Sequence, residues 1–424
     1  MGVAYFFRRS RYYLDAFRGR PPESGVAFDR YVGAFERRNI SVTYLAPLEG
    51  VRFATDRFDF GKFQIQRFAA RELATLVQND VNAVFWPAAY FNVQRLADHW
   101  LLCASETVRA PRLGVMHIRL TMPTLGRTYT THPAPVESAL EAMALFNWQP
   151  ERHILGPPPT EAKEQELERR GQPWFGFGIP FVLRIDDNLL DYPKPGPGLT
   201  ARAPDISSLV TRVVDPRTGE HLAETYEVHF TFDERETSCF DSFVRRAADL
   251  LASLGPKKKR PEFLNIALGT LLRAFFAEGP DQLLGHITAL EALIGDAGAG
   301  MSDRMARRVG RILGRRKAET KAIRRRSKQL YDLRSRLVHG DSLSGTYPGR
   351  LGEARELVRR VALWFVHCLA DVQAKAADGE ATDSVPRRGD ILSVLDMDEA
   401  ARSRVRWLID ALPTHFPRVS QWLG

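Results

Sequence analysis

SKQLYDLRSRLVHGD, residues 327–341, is the most informative stretch of this 424-residue chain. At about 100° per residue, Leu330, Leu333 and Leu337 cluster on one side as a core-facing stripe. Tyr331, Arg334, Ser335, Val338 and His339 fall on another, at i, i+3, i+4, i+7 and i+8. The spacing predicts an amphipathic helix that Gly340 ends as its C′ residue, with His339 in the last turn. There the carbonyl end of the helix dipole favours the imidazolium form. A single helix is thus expected to display a guanidinium, a hydroxyl and an imidazole together.

The sequence leading into this helix is strongly basic. Ser302 to Arg336 holds 14 basic and three acidic residues, a net +11; the whole chain carries a formal +9, so the remainder sums to −2. Guanidinium forks match phosphate oxygens bidentately, and a clustered positive field attracts nucleic acid. Arg304, Arg307, Arg308, Arg311, Arg315, Arg316, Arg324 and Arg325 are accordingly expected to form an RNA-binding surface. A solvated helix face is the other reading of such a run, and an Arg-rich composition is also what a GC-rich genome produces.

The groups on the 327–341 helix suit cleavage of an RNA phosphodiester. A histidine that titrates near neutrality can take the proton from a ribose 2′-hydroxyl or give one to the leaving 5′-oxygen, while a guanidinium stabilises charge growing on the phosphoryl oxygens. The chain has no HExxH, no Cys/His cluster and no convincing paired-carboxylate motif, so neither a metal nor a cofactor is expected. Spacing alone is a weak signal. With 50 Arg and 10 His, chance gives about one Arg followed five residues later by His, and the chain has three. Arg112 with His117 and Arg127 with His132 lie among Pro111, Pro123, Gly126 and Pro133, which read as strand and loop. Only Arg334 and His339 share an amphipathic helix at the end of a basic segment.

The surrounding sequence supplies a helical setting. From Cys239 onward, SFVRRAADLLASL (242–254), EFLNIALGTLLRAFFAEG (262–279), DQLLGHITALEALIG (281–295), the basic segment, the 327–341 helix and EARELVRRVALWFVHCLADVQAKA (353–376) read as a bundle of about five helices broken by Gly and Pro. The loop Pro256-Lys257-Lys258-Lys259-Arg260 has the look of a nuclear localisation signal but reads better as a basic linker between helices. Before Cys239 the chain is mixed. ISVTYLAPL (40–48) is strand-like, Phe58, Phe60, Phe63, Ile65 and Phe68 mark a pair of short strands, and AARELATLVQNDVNAVFW (69–86) reads as a helix running into a strand. From 150 to 235 the text turns β-rich: GPPPT and YPKPGPG are punctuation, DPRTGE is a turn, and Val228, Phe230 and Phe232 share a strand face. The fold class expected is an α+β N-terminal region with a β-rich second part, followed by an all-α bundle. The domains expected are 1–240, 241–378 and a linker with a short helical tail over 379–424.

YDLRSRLVHG, together with HITALEALIG upstream, resembles the HEPN superfamily of helical nucleic-acid-processing domains, and within it the Apea-like group. That motif is an Arg, a polar residue, a few variable positions and a His, here Arg334, Ser335 and His339. Tyr331, Gly340 and the acid Glu291 of ALEAL also fit, and the resemblance is strongest over 260–375. Ser335 departs from the commoner Asn, Asp or His. The resemblance implies a metal-independent endoribonuclease acting on RNA, working as a homodimer in antiviral defence or as a growth-arresting toxin. It implies Arg334, Ser335 and His339 as catalytic groups, Tyr331 and Glu291 as supports, and an N-terminal region that senses a phage- or cell-derived trigger. Some members bind RNA or a nucleotide without cutting it, and a non-catalytic binding or dimerisation module is the alternative.

Glu291 borders the apolar stripe of Ile287, Leu290 and Ile294, where a partly buried acid needs a partner; Arg334 or His339 is the candidate, with a solvent-facing glutamate the other reading. His286 is expected at the surface, His367 in the core, and GFG (176–178) as a turn rather than a phosphate loop. With 44% hydrophobic and 26% charged residues the composition is that of a globular protein. Cys103, Cys239 and Cys368 lie too far apart for a CxxC site or a disulfide framework. The opening MGVAYFFRRSRYY breaks its apolar stretch at Arg8 and Arg9, and the nearest approach to the roughly 20 apolar residues of a membrane helix is VALWFVHCLADV, 361–372. A cytoplasmic protein without a membrane partner is the expectation.

Overall fold

The computed structural model describes residues 39–77, 93–109, 132–148, 177–179, 182–186, 212–214, 221–224, 230–277, 279–296, 298, 300–340, 347–377 and 387–397. The chain divides into two compact units, one made of Met1–Ala139 and Phe177–Thr237, the other of Leu140–Gly176 and Ser238–Gly424.

The first unit is built on a five-stranded antiparallel sheet. Its strands are β1 (Asn39–Leu48), β3 (Arg57–Asp59), β4 (Phe63–Gln66), β5 (Trp100–Arg109) and β6 (Leu183–Asp186), in the order β3-β4-β5-β1-β6. β1 pairs with β5 along its whole length, from Asn39 opposite Arg109 to Leu48 opposite Trp100. Val42, Tyr44, Ala46 and Leu48 line one buried face of β1, and from Tyr44 to Leu48 the other face is buried too, with Leu45 in the core. The Tyr44 hydroxyl still finds an acceptor, donating to Glu106 Oε1 at 2.7 Å. β2 (Val51–Arg52) pairs in parallel with β9 (Phe230–Thr231), and β7 (Arg212–Val214) pairs with β8 (His221–Glu224). Phe53 packs on Phe58, Phe232 and Trp100 at centroid distances of 4.9, 5.2 and 5.7 Å. Helices α1 (Ala70–Val77) and α2 (Val93–Ala97) belong to the same unit.

The second unit is helical. It comprises the end of α3 (Ala134–Ala144), most of α4 (Glu234–Ser253), α5 (Glu262–Phe275), α6 (Gly279–Ile294), α7 (Met301–Leu313), α8 (Lys317–Val338), α9 (Tyr347–Ala377) and α10 (Arg388–Asp396). α9 is buried all round through its middle: Ala354, Leu357, Val358, Val361, Phe365, Val366 and Leu369 lie in the core. Burial also takes in Arg355, Glu356, Arg359 and Arg360. Glu356 accepts from Arg359 Nε at 2.5 Å and from Arg360 Nε at 2.7 Å, while Arg359 Nη1 donates to the Leu145 carbonyl at 2.9 Å. Charge buried at this depth persists only when paired in this way. α5 and α6 approach closely at Gly285, where a Cβ would stand 2.7 Å from the Ala274 Cβ. The lysine-rich loop is a short 3₁₀ turn, Lys257–Lys259, tied inward by Lys257 and Arg260, which both bind the buried Glu141 carboxylate at 2.7 and 3.0 Å.

Two histidine expectations meet the structure here. His367 is in the core, and burial followed by the nearby Arg246 charge pushes its imidazole down to about 4. His286, expected at the surface, is instead completely buried, with neither ring nitrogen hydrogen-bonded. Burial, with Arg355 adding to it, holds its imidazole well below the ordinary range. The neighbouring helices cover the part of α6 that sequence spacing assigned to solvent. No described helix is long and apolar enough to cross a membrane.

Candidate functional site

α8 folds as its sequence dictates. The Glu319 carboxylate accepts from the backbone N–H of Arg315 and Arg316 at 2.9 and 3.3 Å, closing the first turn. Ile323, Ser327, Leu330 and Leu333 form its buried face, and the Ser327 hydroxyl is satisfied by the Ile323 carbonyl at 2.9 Å. His339 is the C-cap, donating its backbone N–H to the Ser335 carbonyl at 3.1 Å. Gly340 follows at φ +83°, a left-handed conformation that costs glycine nothing and stops the helix there.

The site residues read from the sequence fall into two groups. Arg334, Tyr331 and Glu291 are brought together. Arg334 Nη2 lies 3.5 Å from Glu291 Oε2, so α8 and α6 are bridged by an ion pair between half-buried side chains. The guanidinium stands 6.0 Å from the Tyr331 ring centroid, and the Tyr331 hydroxyl is near enough to the Glu291 carboxyl to influence its titration. Burial raises the Glu291 carboxyl above its ordinary value, and the Arg334 charge and the nearby Tyr331 hydroxyl pull it back. The Tyr331 phenol is raised by burial and then by the Glu291 charge. Arg334 Nε is buried and has no hydrogen-bond partner, which leaves the guanidinium with an unused donor. Ser335 is half-buried, and His339 and Val338 are exposed at the helix end, Val338 at 54%. An anchored guanidinium followed by an exposed imidazole about 7.5 Å further along the axis can present a positive charge and a proton carrier to one bound anion.

The eight arginines assigned to RNA separate along the helix boundary. On α7, Arg308 is buried at 2% exposure and donates to the Ile294 carbonyl at 2.7 Å, to Asp296 at 2.9 Å and to both Asp396 oxygens. Its guanidinium is a core staple and cannot face RNA, which corrects the sequence expectation. Arg304 binds Asp296 through Nε at 3.0 Å and Nη2 at 2.9 Å, Arg307 lies 3.6 Å from Asp396, and Arg311 donates to the Leu395 carbonyl. These three are committed to the protein as well. On α8 and its N-terminal approach, Arg315, Arg316, Arg324 and Arg325 are exposed and make no ion pair among the described residues. Lys317 and Lys321, which sequence reasoning did not assign, are exposed alongside them. Their signal was available: they continue the same basic run on the same helix.

Arg112, His117 and Arg127 lie outside the described residues, and His132 stands just before α3. Among the described residues, no group of three His, Cys, Asp or Glu side chains is gathered as metal ligands would be. No family model, no curated protein and no solved structure matches this chain.

Proposed function

We propose that this protein is a metal-independent endoribonuclease of the HEPN type, with its reactive groups on α8. The observation that carries the reading is the Glu291–Arg334 pair, with Tyr331 beside the guanidinium, on the helix that ends in the exposed His339. In the proposed reaction the ribose 2′-oxygen attacks the adjacent phosphorus and the 5′-oxygen leaves. His339 carries the proton between these oxygens, Arg334 stabilises the equatorial phosphoryl charge and Ser335 donates a hydrogen bond. The products are a 2′,3′-cyclic phosphate and a 5′-hydroxyl.

The exposed arginines and lysines of α8 supply the phosphate contacts that hold the strand. The role fits defence or toxin-like growth arrest, with a homodimer through the helical unit and a sensing function for the sheet unit. Purified protein incubated with total RNA in EDTA is expected to leave 2′,3′-cyclic phosphate ends. Ends bearing a 3′-hydroxyl, or cutting only when a divalent metal is added, would overturn the mechanism. A second reading, RNA binding without cleavage, draws on the same exposed α8 cations together with an Arg334 already neutralised by Glu291. It would show as steeply salt-dependent binding with no cut ends.

A further inference from the structure

The tail beyond residue 378 reads in the sequence as a linker and a short helix, yet its helix α10 grips the end of the helix that carries Glu291. Arg388 donates through Nη2 to the Glu291 carbonyl at 2.9 Å, through Nε to the Leu293 carbonyl at 3.2 Å, and also to the Gly295 carbonyl. Arg308 takes the remaining Ile294 carbonyl at 2.7 Å. The last carbonyls of a helix lack partners within it; the two guanidiniums here satisfy those of Leu293 and Ile294 and that of Gly295 just beyond, and add a second bond to the Glu291 carbonyl, which already accepts the Gly295 N–H at 2.8 Å, while complementing the negative end of the dipole. The other end of α10 is locked in turn, since Asp396 accepts from Arg308 and pairs with Arg307, and Leu392 and Leu395 are buried.

We infer that α10 is a clamp on the site: Arg388 is a positioning residue that fixes the last turn of α6 and thereby holds Glu291 opposite Arg334. The chain of contacts is continuous. Arg388 binds the backbone oxygen of the residue whose carboxylate meets Arg334 at 3.5 Å. Arg388 is itself partly buried, with burial first and then the Arg308 charge lowering its pKa and Asp296 opposing them; its hydrogen bonds to the carbonyls compensate the lost hydration. Loss of these bonds frees the turn, admits water to Glu291 and lets the carboxylate leave the guanidinium.

The consequence for cleavage rests on the ribonuclease reading; the consequence for Glu291 does not. The test uses full-length protein carrying Arg388→Ala, Arg388→Lys or Asp396→Asn, with Glu291 titrated by carboxyl carbon NMR and assigned through Glu291→Gln. Arg388→Ala is expected to move the Glu291 titration down toward the ordinary carboxylate range and Arg388→Lys to restore most of the shift. Asp396→Asn, which leaves Arg388 in place, is expected to give an intermediate shift and carries the test if Arg388→Ala does not fold. On a single-stranded RNA oligonucleotide, kcat should fall about tenfold in Arg388→Ala with KM little changed, and Lys should recover it. A Glu291 titration that stays put in all three variants while thermal stability drops would overturn the clamp. If no variant or parent cuts RNA yet the titration moves as stated, the ribonuclease reading fails and the clamp stands.

Discussion

Helices α7 and α8 are adjacent in sequence and similarly rich in arginine, yet each α7 arginine is bound within the protein while α8 leaves Arg324 and Arg325 in solvent beside the paired Arg326 and Arg334. The α7 arginines face Asp296, Asp396 and the carbonyls of Ile294 and Leu395. Those of α8 at 324 and 325 face solvent, as do Arg315 and Arg316 before it. A run of cations in a sequence is therefore not a surface until its counter-charges have been located. Here they come from the end of α6 and from α10, and the second source is 88 residues away in the chain.

Arg308→Ala should give the largest effect, because it removes a buried guanidinium shared by two carboxylates, leaving Asp296 to Arg304 and Asp396 to the looser Arg307, and empties the site at the Ile294 carbonyl. Breaking a buried pair costs about 3–5 kcal/mol, and urea unfolding should show the loss as a lower midpoint. A drop below about 1 kcal/mol would place Arg308 among the surface charges.

Acid should load the buried imidazoles next. An imidazole depressed by folding binds fewer protons than the unfolded chain does, so its contribution is intact above the unfolded value near 6.5 and is lost as pH falls toward the folded one. For His367, depressed to about 4, that amounts to about 3 kcal/mol of lost stability between those limits, and His286 adds to it in the same direction. His286→Leu should flatten part of the pH dependence and cost little near pH 7, since the imidazole makes no hydrogen bond there. An unchanged pH profile would contradict the burial of His286.

The smallest stability change belongs to the exposed set. Arg324→Ala with Arg325→Ala should stay within about 0.5 kcal/mol of the parent. It should nevertheless weaken RNA binding and reduce the salt slope by about one per removed phosphate contact. The matching change at Arg304 and Arg307 should leave the salt slope nearly untouched, and an equal reduction from both pairs would erase the distinction between the helices.

What the sequence revealed was what local chemistry determines. Leu330 and Leu333 of the expected stripe are in the core while Leu337 is only half-buried, and the stop at Gly340, the strand at 40–48 and the paired short strands around Phe58 and Phe63 are all present. β5 went unread because WLLCA is a continuous apolar run: Trp100, Leu101 and Leu102 are all buried, so no alternation marks the strand. Glu141 was invisible for another reason, as its partner Arg260 lies 119 residues away. Within the site, the edge of an apolar stripe left Glu291 either facing solvent or partnered by Arg334 or His339, and the structure pairs it with Arg334. The clamp by Arg388 was not, because backbone carbonyls leave no trace in side-chain spacing.

RNA cleavage in EDTA by the parent protein, His339→Ala and Arg334→Ala, with folding checked by circular dichroism, is the decisive measurement. The parent should cut and both folded variants should lose cleavage; cutting that persists in both would show that the α8 groups are not the reactive ones.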